Sequence, residues 1–351
     1  MQRALSIAER GLFTTKPNPR VGCVIAKADR FIGEGWHRRA GEPHAEINAL
    51  AAAGSAAKGS HVFVSLEPCA HTGRTGPCTD ALIDAGVSRV VAAMVDPNPK
   101  VAGQGLTALR DAGIEVTVLE DEAGAVALNP GFFLRMTQGR PLIRLKMAVS
   151  LDGRTAAADG SSQWITSAEA RADVHRLRAR SCAIVTGVGT METDNPRLNA
   201  RIDGDVTQPL RVIVEGRRKV SAAAQLFTEP GPVLIAAAGP PDDRVELAGR
   251  AEVMDLSDGA GGVDLARLVG VLGHRNCNEV LIEAGPTLAG RFVASGLVDE
   301  IWVYQAPDIL GSAARPMFAI PEIHSMDEKQ SFGIRDVQRI GRDVRTIYSR
   351  T

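Results

Sequence analysis

Three side chains able to grip a transition metal stand in the first part of the chain: His44, Cys69 and Cys78. One imidazole and two thiolates fill three corners of a tetrahedron around Zn²⁺ and leave the fourth open, and an open corner separates a catalytic zinc from a structural one. The expectation is a zinc-activated water. Glu46, two residues past His44, lies outside the ligand set but within reach of that water as a proton shuttle. A second group falls in the C-terminal half. Lys146 interrupts an apolar strand, either as an edge charge or as a functional group facing a cleft. The turn Gly285-Pro286-Thr287-Leu288-Ala289-Gly290 leads into a helix whose free amides could hold a cofactor pyrophosphate, or it is a plain β-to-α turn.

His-x-Glu followed by Pro-Cys and a further Cys is the pattern of zinc-dependent nucleobase deaminases. Eight residues separate Cys69 from Cys78 in place of the usual two, which excludes a one-turn knuckle and implies a loop. Taken singly, His44 could be a surface residue and each Cys a buried thiol; a Cys69–Cys78 disulfide is the other alternative. Five cysteines, an odd count, suit a reducing cytoplasm better than a disulfide framework. No apolar secretory segment follows Met1, and no apolar run is long enough to span a bilayer.

A chain of 351 residues exceeds one ordinary core and implies two domains, placed at 1–140 and 141–351 with the break near Gly139-Arg140-Pro141. The balance of 40 basic against 41 acidic residues argues against a nucleic-acid coat and against anchoring on an anionic membrane. Aromatic residues, at 4%, leave little for a base-stacking platform. The expected partner is therefore a free small molecule, with neither nucleic acid nor membrane, and the expected assembly is a homo-oligomer.

These residues need elements to position them. Apolar spacing predicts a first helix over residues 3–12, and Pro17 and Pro19 then fix a loop that can hold the Asn18 amide against a base edge. Residues 21–26 and 31–36 read as a hairpin, with Cys23 in the core. His44 opens a helix running to Gly54, whose N-terminus favours a neutral imidazole. Strand 62–66 delivers Cys69 at its end, and Cys78 begins the next helix, where its thiolate is favoured. Strands at 90–95 and 114–118, separated by a helix around Leu106, complete an α/β alternation that predicts a mixed or parallel sheet. In the second half, strands are expected at 142–148, 183–187, 210–214, 233–237, 279–282 and 301–304. Ser167 should cap a helix over 168–180 that presents Arg171, Arg178 and Arg180. Gly187-Val188-Gly189 reads as a glycine turn and lacks the third glycine of a dinucleotide fingerprint.

Several longer motifs resemble one family: Pro17-Asn18-Pro19-Arg20-Val21-Gly22, Gly41-Glu42-Pro43-His44-Ala45-Glu46, Glu67-Pro68-Cys69 through Gly73-Arg74-Thr75 to Cys78, Asp96-Pro97-Asn98-Pro99, Ser150-Leu151-Asp152-Gly153, Gln163-Trp164-Ile165-Thr166 and Leu281-Ile282-Glu283. The chain is similar over nearly its whole length to bifunctional riboflavin-biosynthesis enzymes, in which a phosphoribosylaminopyrimidine deaminase is fused to a phosphoribosylaminouracil reductase. The long cysteine-to-cysteine loop is that family's own pattern. The resemblance implies an N-terminal cytidine-deaminase-like α/β/α sandwich and a C-terminal dihydrofolate-reductase-like α/β domain that uses NADPH. It implies that Asn18 and His37 line the base pocket and that Arg74 meets a substrate phosphate. It puts Ala148, Trp164, Thr190, Asp194 and the run Gly285, Pro286, Thr287, Leu288, Ala289, Gly290, Arg291 against NADPH. Ser162, Arg178, Leu198, Arg201 and Glu283 would touch the phosphoribosyl pyrimidine, and Lys146 would stand near hydride delivery. The chain departs from the family pattern at Cys182, Asn195, Glu215 and Gly216, the last removing a hydroxyl that could touch the cofactor's phosphate.

Overall fold

The structure is a computed structural model that describes residues 1–351 apart from 71–75, 100, 120–122, 241–243, 245 and 351. Two compact units divide the chain, Met1–Gly139 and Arg140–Thr351.

In the first unit the elements run α1 (Gln2–Ala8), β1 (Gly22–Lys27), β2 (Arg30–Trp36), α2 (Ala45–Ala53), β3 (His61–Val64), α3 (Cys78–Asp84), β4 (Arg89–Ala92), α4 (Gln104–Asp111), β5 (Glu115–Val118), α5 (Ala123–Leu128) and α6 (Pro130–Gln138). The strands form a mixed sheet in the order β2-β1-β3-β4-β5, antiparallel from β2 to β3 and parallel from β3 to β5. Alternate residues of β1 divide between its faces, as a pleated strand requires. Cys23 and Ile25 pack with Ala45 and Ala49 of α2, Leu82 of α3 and Leu106 of α4, whereas Val24 joins Ala4 and Ile7 of α1. Helices therefore cover both faces, giving three layers. Glycines set how closely α2 lies on the sheet. A Cβ on Gly33 would fall 2.4 Å from the Ala49 carbonyl oxygen, and one on Gly35 2.6 Å from that of Ala45, so only bare backbone lets β2 carry the first turn of α2.

The second unit contains β6 (Leu142–Val149), β7 (Arg154–Ala156), α7 (Ala168–Arg180), β8 (Ala183–Gly187), α8 (Val188–Asp194), β9 (Leu210–Glu215), β10 (Val233–Ala237), β11 (Glu252–Asp255), α9 (Leu265–His274), β12 (Glu279–Ile282), α10 (Pro286–Ala294), β13 (Glu300–Gln305), β14 (Arg315–Pro316), β15 (Phe332–Ile340) and β16 (Asp343–Arg350). Its large sheet has the order β11-β10-β9-β8-β12-β6-β13-β16-β15, parallel from β11 to β13 and closed by the antiparallel hairpin β15/β16. Ile143, Leu145, Val185 and Val212 pack on one face with α9 and α10; Ile184, Ile213 and Leu281 pack on the other with Leu177 of α7 and Met191 of α8. The α/β class and the three-layer arrangement agree with the expectation. The glycine turn expected at Gly187-Val188-Gly189 is instead the junction at which α8 follows β8 without a loop. Ser167 caps α7 as expected, accepting a hydrogen bond from the Ala170 amide at 3.2 Å.

Candidate functional site

In the first unit the three expected ligands converge. His44 holds the N-cap of α2 in extended backbone, Cys69 follows β3, and Cys78 is the first residue of α3. The His44 Nδ1 stands 3.3 Å from the Cys78 Sγ and 3.6 Å from the Cys69 Sγ, and the three ligand atoms all lie within 4.8 Å of one another. All five cysteines are free, so Cys69 and Cys78 form no disulfide. Without a metal these groups share protons: hydrogen bonds from Cys78 and His44 hold the Cys69 thiol well below its usual range, while Cys78, facing that anion in a buried place, is pushed up. A cation that replaces the shared protons suits this donor set. The residues present fit zinc.

Glu46 lies in the first turn of α2, 3% exposed, and its Oε2 has no hydrogen-bond partner. Burial lifts its carboxyl to about 7. A buried carboxylate oxygen left unpaired costs stability, and functional sites are where proteins retain such groups.

His37 packs its ring edge-on against His44, with centroids 5.1 Å apart. Its Nδ1 faces the Pro43 carbonyl at 3.2 Å and so carries the proton, which leaves Nε2 to accept from the Asn18 amide at 3.0 Å. Burial keeps this ring neutral. Asn18 and His37 are thus tied together beside the metal ligands, and Arg74 lies outside the described residues.

Glu67 has a role that sequence reasoning missed. Its carboxylate accepts from the amides of Asp96 at 3.1 Å, Gly103 at 2.9 Å, Gly105 at 2.9 Å and Leu106 at 3.3 Å, which fixes the loop before α4 against the segment carrying Cys69. Gly105 must be glycine because a Cβ there would lie 1.9 Å from the Pro68 oxygen. The signal was present in Glu67-Pro68-Cys69, where an acidic residue sits beside a ligand.

In the second unit a cleft of about 1400 Å³ opens at the carboxyl ends of the parallel strands. Lys146, Ala148, Ser162, Trp164, Arg178, Thr190, Asp194, Leu198, Arg201, Glu283, Gly285, Pro286, Thr287, Leu288 and Arg291 all line it. Ala289 and Gly290 do not. The Ala289 side chain is in the core, and Gly290 abuts Ala319, whose carbonyl oxygen a Cβ would approach to 2.1 Å. Their part in the glycine-rich run is packing. Lys146 belongs to a central strand, which rules out an edge charge.

Glu283 organises this cleft. Arg178 donates Nε at 2.6 Å and Nη2 at 2.9 Å to its two oxygens, and the Lys146 Nζ stands 3.9 Å away. Burial alone would raise the Glu283 carboxyl, but Arg178 and Lys146 outweigh it and hold it down to about 2. Burial in turn lowers Lys146 against the pull of Glu283. His175, missed from the sequence, is lowered to about 4 by burial and by Arg178 and Arg201, so it stays neutral and its Nδ1 accepts the Arg201 amide at 3.2 Å. Spacings of four and three place Arg171, His175 and Arg178 on one face of α7, a pattern that could have revealed it. Leu198, at φ +51°, turns the backbone sharply between Arg197 and Arg201. At the cleft mouth Trp164 is exposed beneath the Arg171 guanidinium, 4.4 Å from its ring centroid. Thr190 accepts the Gly285 amide at 3.2 Å, and α10 begins with no side-chain cap.

Glu215 faces away from the cleft. It is buried against Arg244 and accepts the Val220 amide at 3.1 Å. Cys182 accepts the Asn278 amide at 3.2 Å.

Comparison with known proteins finds a family for each unit. Residues 1–94 match the cytidine and deoxycytidylate deaminase zinc-binding region, and residues 141–345 match the RibD C-terminal domain. The chain is 46% identical to riboflavin biosynthesis protein RibD of Escherichia coli, covering 98% of this chain and 96% of that one. It is 43% identical to the Haemophilus influenzae protein of the same name, over 99% and 96%. Acinetobacter baumannii RibD superposes with a TM-score of 0.93 at 43% identity, over 100% of this chain and 97% of that one. A Thermotoga maritima diaminohydroxyphosphoribosylaminopyrimidine deaminase/5-amino-6-(5-phosphoribosylamino)uracil reductase gives 0.87 at 31% identity, over 100% and 97%.

Proposed function

The chain belongs to the RibD family of bifunctional riboflavin-biosynthesis enzymes, and from that premise we infer that residues 1–140 deaminate a phosphoribosylaminopyrimidine and residues 141–351 reduce the product. The observation that carries this reading is the cluster of His44, Cys69 and Cys78 beside the unpartnered oxygen of Glu46.

His44, Cys69 and Cys78 would hold zinc, which supplies Lewis acidity and makes a water easier to deprotonate near neutral pH. Glu46 would take a proton from the attacking water and return it to the exocyclic amine, so that the water oxygen bonds to the ring carbon, the carbon–nitrogen bond breaks, ammonia leaves and a carbonyl remains. His37 and Asn18 orient the base through their paired ring and amide, and Arg74 receives the substrate phosphate. In the second unit NADPH would supply a hydride to C1′ of the opened ribosyl group, leaving a ribityl chain. Trp164, Thr190, Asp194, Ala148 and the uncapped start of α10 would hold the cofactor, the free amides of that helix suiting a pyrophosphate. Ser162, Leu198, Arg178 and Arg201 hold the substrate, the arginines at its phosphate. Lys146, kept beside Glu283, stands near the hydride path as a proton donor or positive charge.

No helix among the described residues is long and apolar enough to cross a membrane. We place the enzyme in the cytoplasm, in keeping with five free cysteines. A homo-oligomer is supported by the edge strand β15, which exposes Ile334 and Val337; light scattering tests it.

The experiment for the whole reading gives the purified protein the diaminopyrimidine substrate, with and without zinc and NADPH. Ammonia should appear only with zinc, and loss of reduced-nicotinamide absorbance should follow. Ammonia without any loss of NADPH would remove the reductase assignment.

A further inference from the structure

We propose that Arg217 and Arg218 form the subsite for the 2′-phosphate of the cofactor's adenosine ribose, and that they set its preference for the phosphorylated dinucleotide. The inference rests on the reading that this cleft holds NADPH.

The two arginines follow β9 after Gly216 and line the cleft at the carboxyl end of the parallel strands. Open parallel sheets bind dinucleotides along that edge. In the sheet order β10-β9-β8-β12, β12 feeds the start of α10, and β9 lies two strands away on the far side of β8. In strand order Lys146, on β6, stands to one side of the start of α10, which follows β12, and Arg217 and Arg218, past β9, stand to the other; all three line the cleft, as do Arg178 and Arg201. A dinucleotide with its pyrophosphate at α10 and its nicotinamide toward Lys146 sends its adenosine toward β9.

The chemistry at that end favours a phosphate dianion. Arg217 makes no ion pair or hydrogen bond among the described residues. Arg218 donates to Glu192 at 2.6 Å, but both side chains are exposed, and such a pair is weak enough for a phosphate to displace. A guanidinium matches phosphate with two parallel N–H donors. Small residues leave room beside them, since Gly189 has no side chain and a Cβ there would reach 3.0 Å from the Arg218 Nη2. In enzymes that choose the unphosphorylated cofactor, an acidic residue at a strand end binds the ribose hydroxyls and repels a phosphate. Glu215 occupies such a strand end, but Arg244 neutralises it in the interior. Gly216, lacking a hydroxyl, leaves recognition to the two arginines that follow.

Direct titration of the full-length protein with NADPH and with NADH, followed by calorimetry without substrate, tests this. The wild type should bind NADPH more tightly. Arg217→Ala and Arg218→Ala should each weaken NADPH about tenfold, the scale of a lost charge-assisted hydrogen bond, and the double variant should bind the two cofactors nearly alike. Unaltered NADH binding in the variants shows that they fold. Equal binding by the wild type, a preference that survives the double substitution, or a parallel loss of both cofactors would each overturn the inference while leaving the reductase reading intact. A wild type that binds neither dinucleotide would overturn that reading, and the inference with it.

Discussion

Glu46 and Glu283 are both buried carboxylates, one in each unit, and they are treated in opposite ways. Glu46 keeps an oxygen with no partner and its carboxyl rises to about 7; Glu283 is gripped by Arg178 and Lys146 and falls to about 2. A carboxylate left short of partners near neutral pH can both take and return a proton. One saturated by cations is permanently charged and can only orient its neighbours. The contrast teaches that the chemistry of the first unit is proton transfer at a prepared donor set. That of the second is the holding of charged ligands by a fixed electrostatic frame, with the redox chemistry left to a cofactor.

Removing each carboxylate is the strongest way to break the comparison. Glu46→Gln should cut ammonia release by about 10²- to 10⁴-fold, the usual contribution of a positioned acid–base group, while bound zinc and the reductase rate on deaminated substrate stay unchanged. Near-normal deamination would erase the distinction. Glu283→Gln should leave deamination alone and destabilise the second unit by about 3–5 kcal/mol, since two cations lose a buried counter-charge. Its urea midpoint measures this.

A subtler change sharpens the picture. Arg178→Lys keeps the charge that Glu283 needs but loses the two-pronged fork. The reductase KM should rise by a factor worth about 1.5–3 kcal/mol with little change in stability; an unchanged KM would take Arg178 out of substrate binding. The smallest effect is one of pH. Because the folded Glu283 carboxyl lies below its ordinary value of 4.5, its stabilising share is complete above that pH and disappears as pH falls toward about 2. The second unit of the wild type should lose stability over that window more steeply than the Glu283→Gln variant, and identical slopes would show that Glu283 is not held down.

Much of this was legible in the sequence because it was written in local chemistry. His44, Cys69 and Cys78 carry their identity in their types, and Ser167 and Lys146 stand out against the periodicity around them. What escaped lacked such a mark. The hairpin β15/β16 is a pair of long strands, yet β15 is largely exposed on both faces, so its polar residues show no alternation that burial would impose. Helix α9 was hidden by Gly270 and Gly273 within it and by the glycine-rich loop before it. The packing role of Gly290 depends on Ala319, far along the chain, and the anchoring role of Glu67 depends on amides of another loop. Both are long-range facts that no local pattern records.

The central claim is that His44, Cys69 and Cys78 gather one zinc on which deamination depends. Metal analysis paired with ammonia release before chelation, after it and after zinc is restored tests this most directly. The account predicts about one zinc per chain, activity abolished with its removal and regained with its return. Full deamination by protein stripped of zinc would contradict it.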